Sequence, residues 1–155
     1  MTLYNRKKFM ARISTYLHFK RNTEEAFKFY RSVFGTEFSG HGIIRMGEVP
    51  DQEGQHSISR EDKSLVMHVA LPTLGGHLLM GSDAPESMGF EVSMGNNVYI
   101  HLEPDSREEA NRLFNALSEG GRVEMEMQEM FWGDYFGSLK DRFGVMWMIN
   151  VSLVE

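Results

Sequence analysis

Apolar side chains recur along this chain in two rhythms. In NTEEAFKFYRSVFG they fall at Ala26, Phe29, Tyr30 and Val33, the three-and-four spacing of one helix face. Asn22 stands where a side-chain oxygen can accept from a free helix-start N–H, and Glu25 complements the dipole there. Gly35 suits the left-handed stop. The run SREEANRLFNALSEGG repeats the scheme. Ser106 and Glu109 make a capping box, the stripe is Ala110, Leu113, Phe114 and Leu117, and Gly120-Gly121 closes it. A shift of 84 residues lays cap on cap and stripe on stripe. Agreement of caps, stripe and closing glycines predicts an internal duplication.

The second rhythm is strand-like. ARISTYLHF precedes the first helix and NVYIHLEP the second. TEFSGHGIIRM, SLVMHVALP and GHLLMGS follow the first helix, with TLGG a hairpin between the last two. GRVEMEMQEM, DYFGSLK and VMWMINVSL follow the second. Each half therefore reads β-α-β-β-β. The predicted class is α+β, with one module over residues 12–84 and a second over 95–152. Two stretches interrupt the rhythm. Gly47–Lys63 is polar, aperiodic and too long for an ordinary connection, and Asp83–Asn96 is the natural linker between modules.

Composition narrows the classes. The chain has 155 residues, the size of one domain, with 41% hydrophobic and 25% charged residues. No apolar run approaches the ~18 residues of a membrane span, and the N-terminus lacks the apolar core of a secretory signal. There is no cysteine, which removes disulfides, thiolate metal sites and cysteine nucleophiles together and fits a cytoplasmic location. The net charge of −6 argues against a nucleic-acid partner, and the short basic run Arg6-Lys7-Lys8 reads as a solvated tail.

Four runs carry a family resemblance: YLHFKRNTEEAFKFYRSVFG, VMHVALPTLGGHLLMGSD, EEANRLFNALSEGGRV and FWGDYFGSLKDRFGVMWMINV. Together, over about residues 12–152, they resemble the PhnB-like branch of the vicinal-oxygen-chelate superfamily, which contains glyoxalase I, bleomycin-resistance proteins and extradiol dioxygenases. The resemblance implies two strongly curved sheets forming a cup with the helices outside, and a homodimer. The branch is often labelled as a demethylubiquinone methyltransferase. The chain gives that label no support, since no glycine-rich loop follows a first strand and no dinucleotide-type βαβ unit is present.

Metal-dependent members of the superfamily hold a divalent ion with four His, Glu or Gln side chains, one from the first and one from the last strand of each module. The matched positions here are Thr15, Leu79 or Met80, Tyr99 and Met148. None suits Mg, Mn, Ni or Zn. The expectation is a cup without a metal or other cofactor, with a displaced divalent metal as the alternative. Among the histidines, His41, His56 and His77 read as exposed polar residues, His18 as a hydrogen-bonded residue near an edge, and His68 as a satisfied core residue. His101 differs. In NVYIHLEP, Val98, Ile100 and Leu102 alternate with Tyr99 and His101, so His101 is expected in the cup, where it could serve as a general acid or base.

The run FWGDYFGSLKDRFG divides in two. Lys140 to Gly144 reads as the turn into the last strand, with Phe143 and the later Trp147 in the core. Trp132 to Phe136 reads as a wall of the cup. The resulting functional expectation is a small-molecule binding protein of the glyoxalase/bleomycin-resistance type, its cup lined by Tyr99, His101, Trp132, Tyr135, Phe136 and Met148. The alternative is an isomerase-, lyase- or dioxygenase-like enzyme using His101 or a displaced metal.

Overall fold

A computed structural model of the chain describes residues 11–50 and 57–152. The Arg6-Lys7-Lys8 run, His56 and the centre of the Gly47–Lys63 stretch lie outside the described residues. The first module is β1 (Thr15–Phe19), α1 (Thr23–Phe34), β2 (Ile44–Arg45), β3 (Val66–Pro72) and β4 (Leu78–Asp83). The second is β5 (Ile100–Leu102), α2 (Arg107–Ser118), β6 (Arg122–Glu129), β7 (Tyr135–Lys140) and β8 (Met146–Val151). The two helices coincide residue for residue under the 84-residue shift. Each module folds into one four-stranded sheet, ordered β1-β4-β3-β2 and β5-β8-β7-β6, and neither closes into a barrel. In both, the first strand runs parallel to the last and the remaining neighbours are antiparallel.

The first expected strand after α1 is cut short. TEFSGHGIIRM keeps only Ile44–Arg45 as strand, because Gly40 and Gly42 both take positive φ and turn the chain away. The hairpin at TLGG forms, with Gly75 and Gly76 in the left-handed region. Gly35 ends α1 in that conformation too, its N–H bonded to Arg31 O at 2.9 Å.

The helix starts differ in mechanism. Ser106 accepts from the Glu109 N–H at 3.1 Å, as expected, while the Glu109 carboxylate turns to Arg112 instead of back to the cap. Asn22 makes no side-chain cap. A distant carboxylate replaces it: Asp83, at the end of β4, accepts from Thr23 N at 3.1 Å and Thr23 Oγ1 at 2.8 Å. Its second oxygen takes Val66 N at 2.8 Å, so this one buried group fixes α1, β3 and β4 together.

Both modules share one core. Ala26, Phe27, Tyr30 and Val33 of α1 and Ala110, Leu113, Phe114 and Leu117 of α2 are buried against the sheets. Phe27, absent from the expected stripe, lies over Gly81, where an added Cβ would stand 2.5 Å from its ring. The modules interlock at Trp147 of β8, whose ring meets Tyr30 and Phe34 of α1 at 5.6 and 5.9 Å between centroids. Beneath them Asp141, also buried, accepts from Tyr30 Oη at 2.6 Å, Trp147 Nε1 at 2.9 Å, Phe143 N at 2.8 Å and Val145 N at 3.0 Å. Burial, then the adjacent Asp141 charge, pushes the Tyr30 hydroxyl well above the usual tyrosine range, so it remains a donor. The turn at Lys140–Gly144 and the core placement of Trp147 thus follow the sequence expectation, with Asp141 at its centre, while Phe143 packs half-buried against that core.

Candidate functional site

Strand alternation decides which side chains leave the core. Leu17 and Phe19 pack on the helix side of β1, so Tyr16 and His18 face away from it. Register extends the same face. Met80 pairs with Tyr16 and Ala70, and Ser82 pairs with His18. Thr15, matched above to a metal position, therefore lies on the helix side, where its hydroxyl is 2.9 Å from His77 Nε2. Leu79, its strand partner, is in the core.

His68 is not a core residue. β2 pairs Ile44 with His68 and Arg45 with Val66, which leaves Met67 as an extra residue on β3. A bulge of this kind bends the strand and re-aims its side chains. Val66 and Val69 keep to the core, while Met67 is exposed and His68 half-buried. His68 Nδ1 lies 3.2 Å from Tyr16 Oη. Among the described residues His18 makes no side-chain hydrogen bond, and it stands edge-on to Tyr16 and Phe90, at 5.4 and 6.5 Å between centroids.

Over this face lies a cavity of about 930 Å³. Tyr16 and Ser82 belong to its floor, Met46 and Met67 to one side, Ile58 and Ser59 to another, and Met88 and Phe90 to the linker that crosses it. One buried carboxylate holds these covering segments in place. Asp62 accepts from Arg21 Nη1 at 2.8 Å and Ser87 Oγ at 2.5 Å, and its own N–H bonds Ser59 Oγ at 3.2 Å. The Ser87 hydrogen bond, then Arg21, holds the Asp62 carboxyl below the usual carboxylate range. The described ends of the Gly47–Lys63 stretch, which the sequence marks as too long for an ordinary connection, and the Asp83–Asn96 linker thereby contribute walls. Nothing in their periodicity could have shown this, because their role comes from a contact between segments distant in sequence.

The second module distributes the expected wall residues differently. His101 and Met148 are strand partners on the face away from α2, and Phe136 and Ser138 share that face. Tyr135 does not join them. It alternates with Gly137 and Leu139 on the helix side, gives its hydroxyl to Asn111 at 2.6 Å and lies under the Arg107 guanidinium. The signal was present in DYFGSLK, where Leu139 fixes the inward phase. Trp132 sits in the β6–β7 turn, half exposed and edge-on to Phe131, which is 98% exposed. Tyr99, just before β5, gives its hydroxyl to Glu124 on β6, the strand at the far end of the same sheet, at 2.9 Å. That bond raises the tyrosine pKa. Val98, expected to face the helix, is 71% exposed. Tyr99 and His101 border a second cavity, of about 410 Å³, at the seam with Thr15, Leu74 and His77 of the first module.

The donor set does not fit the superfamily metal. The matched positions offer a committed Thr15 hydroxyl, a core Leu79 or thioether Met80, a tyrosine bonded to Glu124 and the thioether of Met148. Hard and borderline divalent ions take carboxylate or imidazole instead. Among the described residues no three His, Asp or Glu side chains come together in a way that could hold an ion. Among the same residues no helix is long and apolar enough to cross a membrane.

A family model described as 3-demethylubiquinone-9 3-methyltransferase matches residues 11–150. The chain belongs to this family. Among solved structures, protein PA1353 from Pseudomonas aeruginosa is 35% identical with a TM-score of 0.77, covering 92% of this chain and 98% of its own. The PhnB protein from Bacillus cereus is 26% identical with a TM-score of 0.67, over 92% of this chain and 100% of its own. A glyoxalase/bleomycin resistance protein/dioxygenase family enzyme from Burkholderia phytofirmans PsJN shares the fold at 20% identity, with a TM-score of 0.58 over 90% of this chain and 98% of its own. The chain is thus a PhnB-like member with the glyoxalase/bleomycin-resistance fold. The methyltransferase description finds no support in the β1–α1 turn. In doubly wound α/β folds a nucleotide cofactor is held by a glycine-rich turn after a first strand and by free amides at the next helix start. Here Lys20-Arg21-Asn22 joins β1 to α1, and the Thr23 amide is taken by Asp83.

Proposed function

We propose that this chain is a metal-free small-molecule binding protein of the glyoxalase/bleomycin-resistance type, taking a flat, mainly apolar molecule in the cavity over the first module's sheet. The observation that carries the reading is the cavity of about 930 Å³ walled by Tyr16, Met46, Ile58, Met67, Met88 and Phe90. Its size falls in the range of small-molecule sites, and methionine walls adapt to varied shapes. Its carboxylates are already engaged, Asp62 by Arg21 and Ser87 and Asp83 by backbone and threonine donors. No strong charge is left to demand a cationic partner.

A second reading is an enzyme that uses His101. In its favour, His101 is exposed on the sheet face away from α2 and borders the seam cavity with His77. It ranks second because that cavity is less than half the size and the Tyr99 hydroxyl that borders it with His101 is committed to Glu124.

Calorimetric titration with indole, a small flat apolar probe, tests the first reading. One site per chain is expected, with a negative heat-capacity change from apolar burial. Phe90→Ala is expected to weaken binding about tenfold, the scale of one lost aromatic contact. Absence of binding at millimolar indole, or a loss in Trp132→Ala with none in Phe90→Ala, would overturn it.

A further inference from the structure

One hydroxyl on the cavity floor has no partner among the described residues. Ser82 is half-buried on β4, on the face it shares with Met80 and with Tyr16 and His18 of β1, and it borders the cavity. Its side chain makes no hydrogen bond to any described residue. Among the same residues no buried side-chain oxygen or nitrogen lacks a partner. The Ser82 hydroxyl is therefore open. The strand and the core lie behind it, so it opens on the cavity side. The other polar groups there are taken. Tyr16 Oη lies 3.2 Å from His68 Nδ1, Ser87 gives its hydroxyl to Asp62, and Ser59 Oγ accepts from the Asp62 N–H. Asp83, next along the strand, is buried with both oxygens engaged. Ser57 also has no partner, but it is exposed and water satisfies it.

A serine hydroxyl has one donor and two acceptor sites and rotates to suit its partner. A ligand that covers Ser82 without meeting it loses the hydrogen bond that water made there. A ligand of the same shape that meets it does not, and an unmet polar group in a closed site is a strong source of discrimination. No Lys or Arg borders the cavity and its carboxylates are engaged, so the group that meets Ser82 is uncharged. A strand holds the hydroxyl in one place, which fixes the edge of the ligand that must carry that group. We infer that Ser82 sets the specificity of this cavity, selecting planar apolar molecules that carry one uncharged hydrogen-bonding group, such as a ring N–H or a phenol O–H, at the edge facing β4. The inference rests on the binding reading above and narrows its ligand class.

Indole and indene share nearly the same flat bicyclic shape, and only indole carries an N–H. Both are titrated calorimetrically into the parent protein and its variants. Ser82→Ala is expected to weaken indole about tenfold, the scale of one unmet buried donor, and to change indene by less than about twofold. Ser82→Cys keeps the shape but offers only a weak donor and acceptor, so it should act as Ser82→Ala does. Phe90→Ala, which removes a shape contact, should weaken both probes alike. Equal loss of both probes in the two Ser82 variants would overturn the assignment. So would full indole affinity in those variants, or selective loss of indole in Ser57→Ala instead. In each of these cases indole still binds the parent, so the binding reading stands and only the role of Ser82 falls. If indole does not bind the parent, both fall.

Discussion

Asp141→Ala is expected to cost about 4 kcal/mol of folding stability, the largest effect of any single substitution considered for this chain. The carboxylate takes four donors, and all four are left without a partner when it is removed: the hydroxyl of Tyr30, the indole N–H of Trp147 and the backbone N–H groups of Phe143 and Val145. An unsatisfied buried donor costs roughly 1–3 kcal/mol, and partial relaxation keeps the sum below the simple total. Domains of this kind have only about 5–15 kcal/mol in all. The residue also ties the modules together, since Tyr30 comes from α1 and Trp147 from β8. Urea denaturation should show a lower midpoint with an unchanged slope, and thermal melting a fall of roughly 10 °C. A variant within about 1 kcal/mol of the parent would mean the four bonds are not acting as a unit. Asp141→Asn should fall between the two, because its amide keeps one acceptor oxygen and turns an N–H₂ toward existing donors.

The second large effect is expected at Asp83. Asp83→Ala should cost about 3 kcal/mol, because it frees the N–H and hydroxyl of Thr23 and the N–H of Val66. The damage is expected to be local as well as global. Helix α1 has no cap from Asn22, so its first turn depends on this distant carboxylate. Hydrogen exchange should show lost protection at the start of α1 before the rest of the helix. Uniform loss across both modules would contradict that role. Since Asp83 also borders the cavity, indole affinity should fall in the same variant.

Much of this fold was legible in the chain because its signals are local. The helix stripes and the glycine at position 35 depend on neighbours within a few residues, and the 84-residue shift lands on identical helix bounds. The turn around Asp141 was legible for the same reason. What the sequence did not show depends on partners far along it. The cap on α1 comes from a residue 60 positions away. Matching by distance to the following helix placed Thr15 in the cup, but that distance sets a position along the strand and not its face. Leu17 and Phe19 set the face, and they give it to Tyr16. His68 looked like a core residue because the bulge at Met67 appears only once β2 is paired with β3. The proposed site therefore lies on the first module, whereas the sequence expectation had put it on the second. His101, Phe136 and Met148 do share one face of the second sheet, with Tyr99 just before its first strand, but the larger apolar cavity lies over the other.

The methionines make that displacement measurable. With methyl-¹³C methionine and indole added in steps, the ring current of a bound aromatic should shift the methyl signals of Met46, Met67 and Met88, each assigned by a Met→Leu variant. The Met148 signal should stay in place. Movement of Met148 with the other three unmoved would put the ligand in the second module and contradict the account.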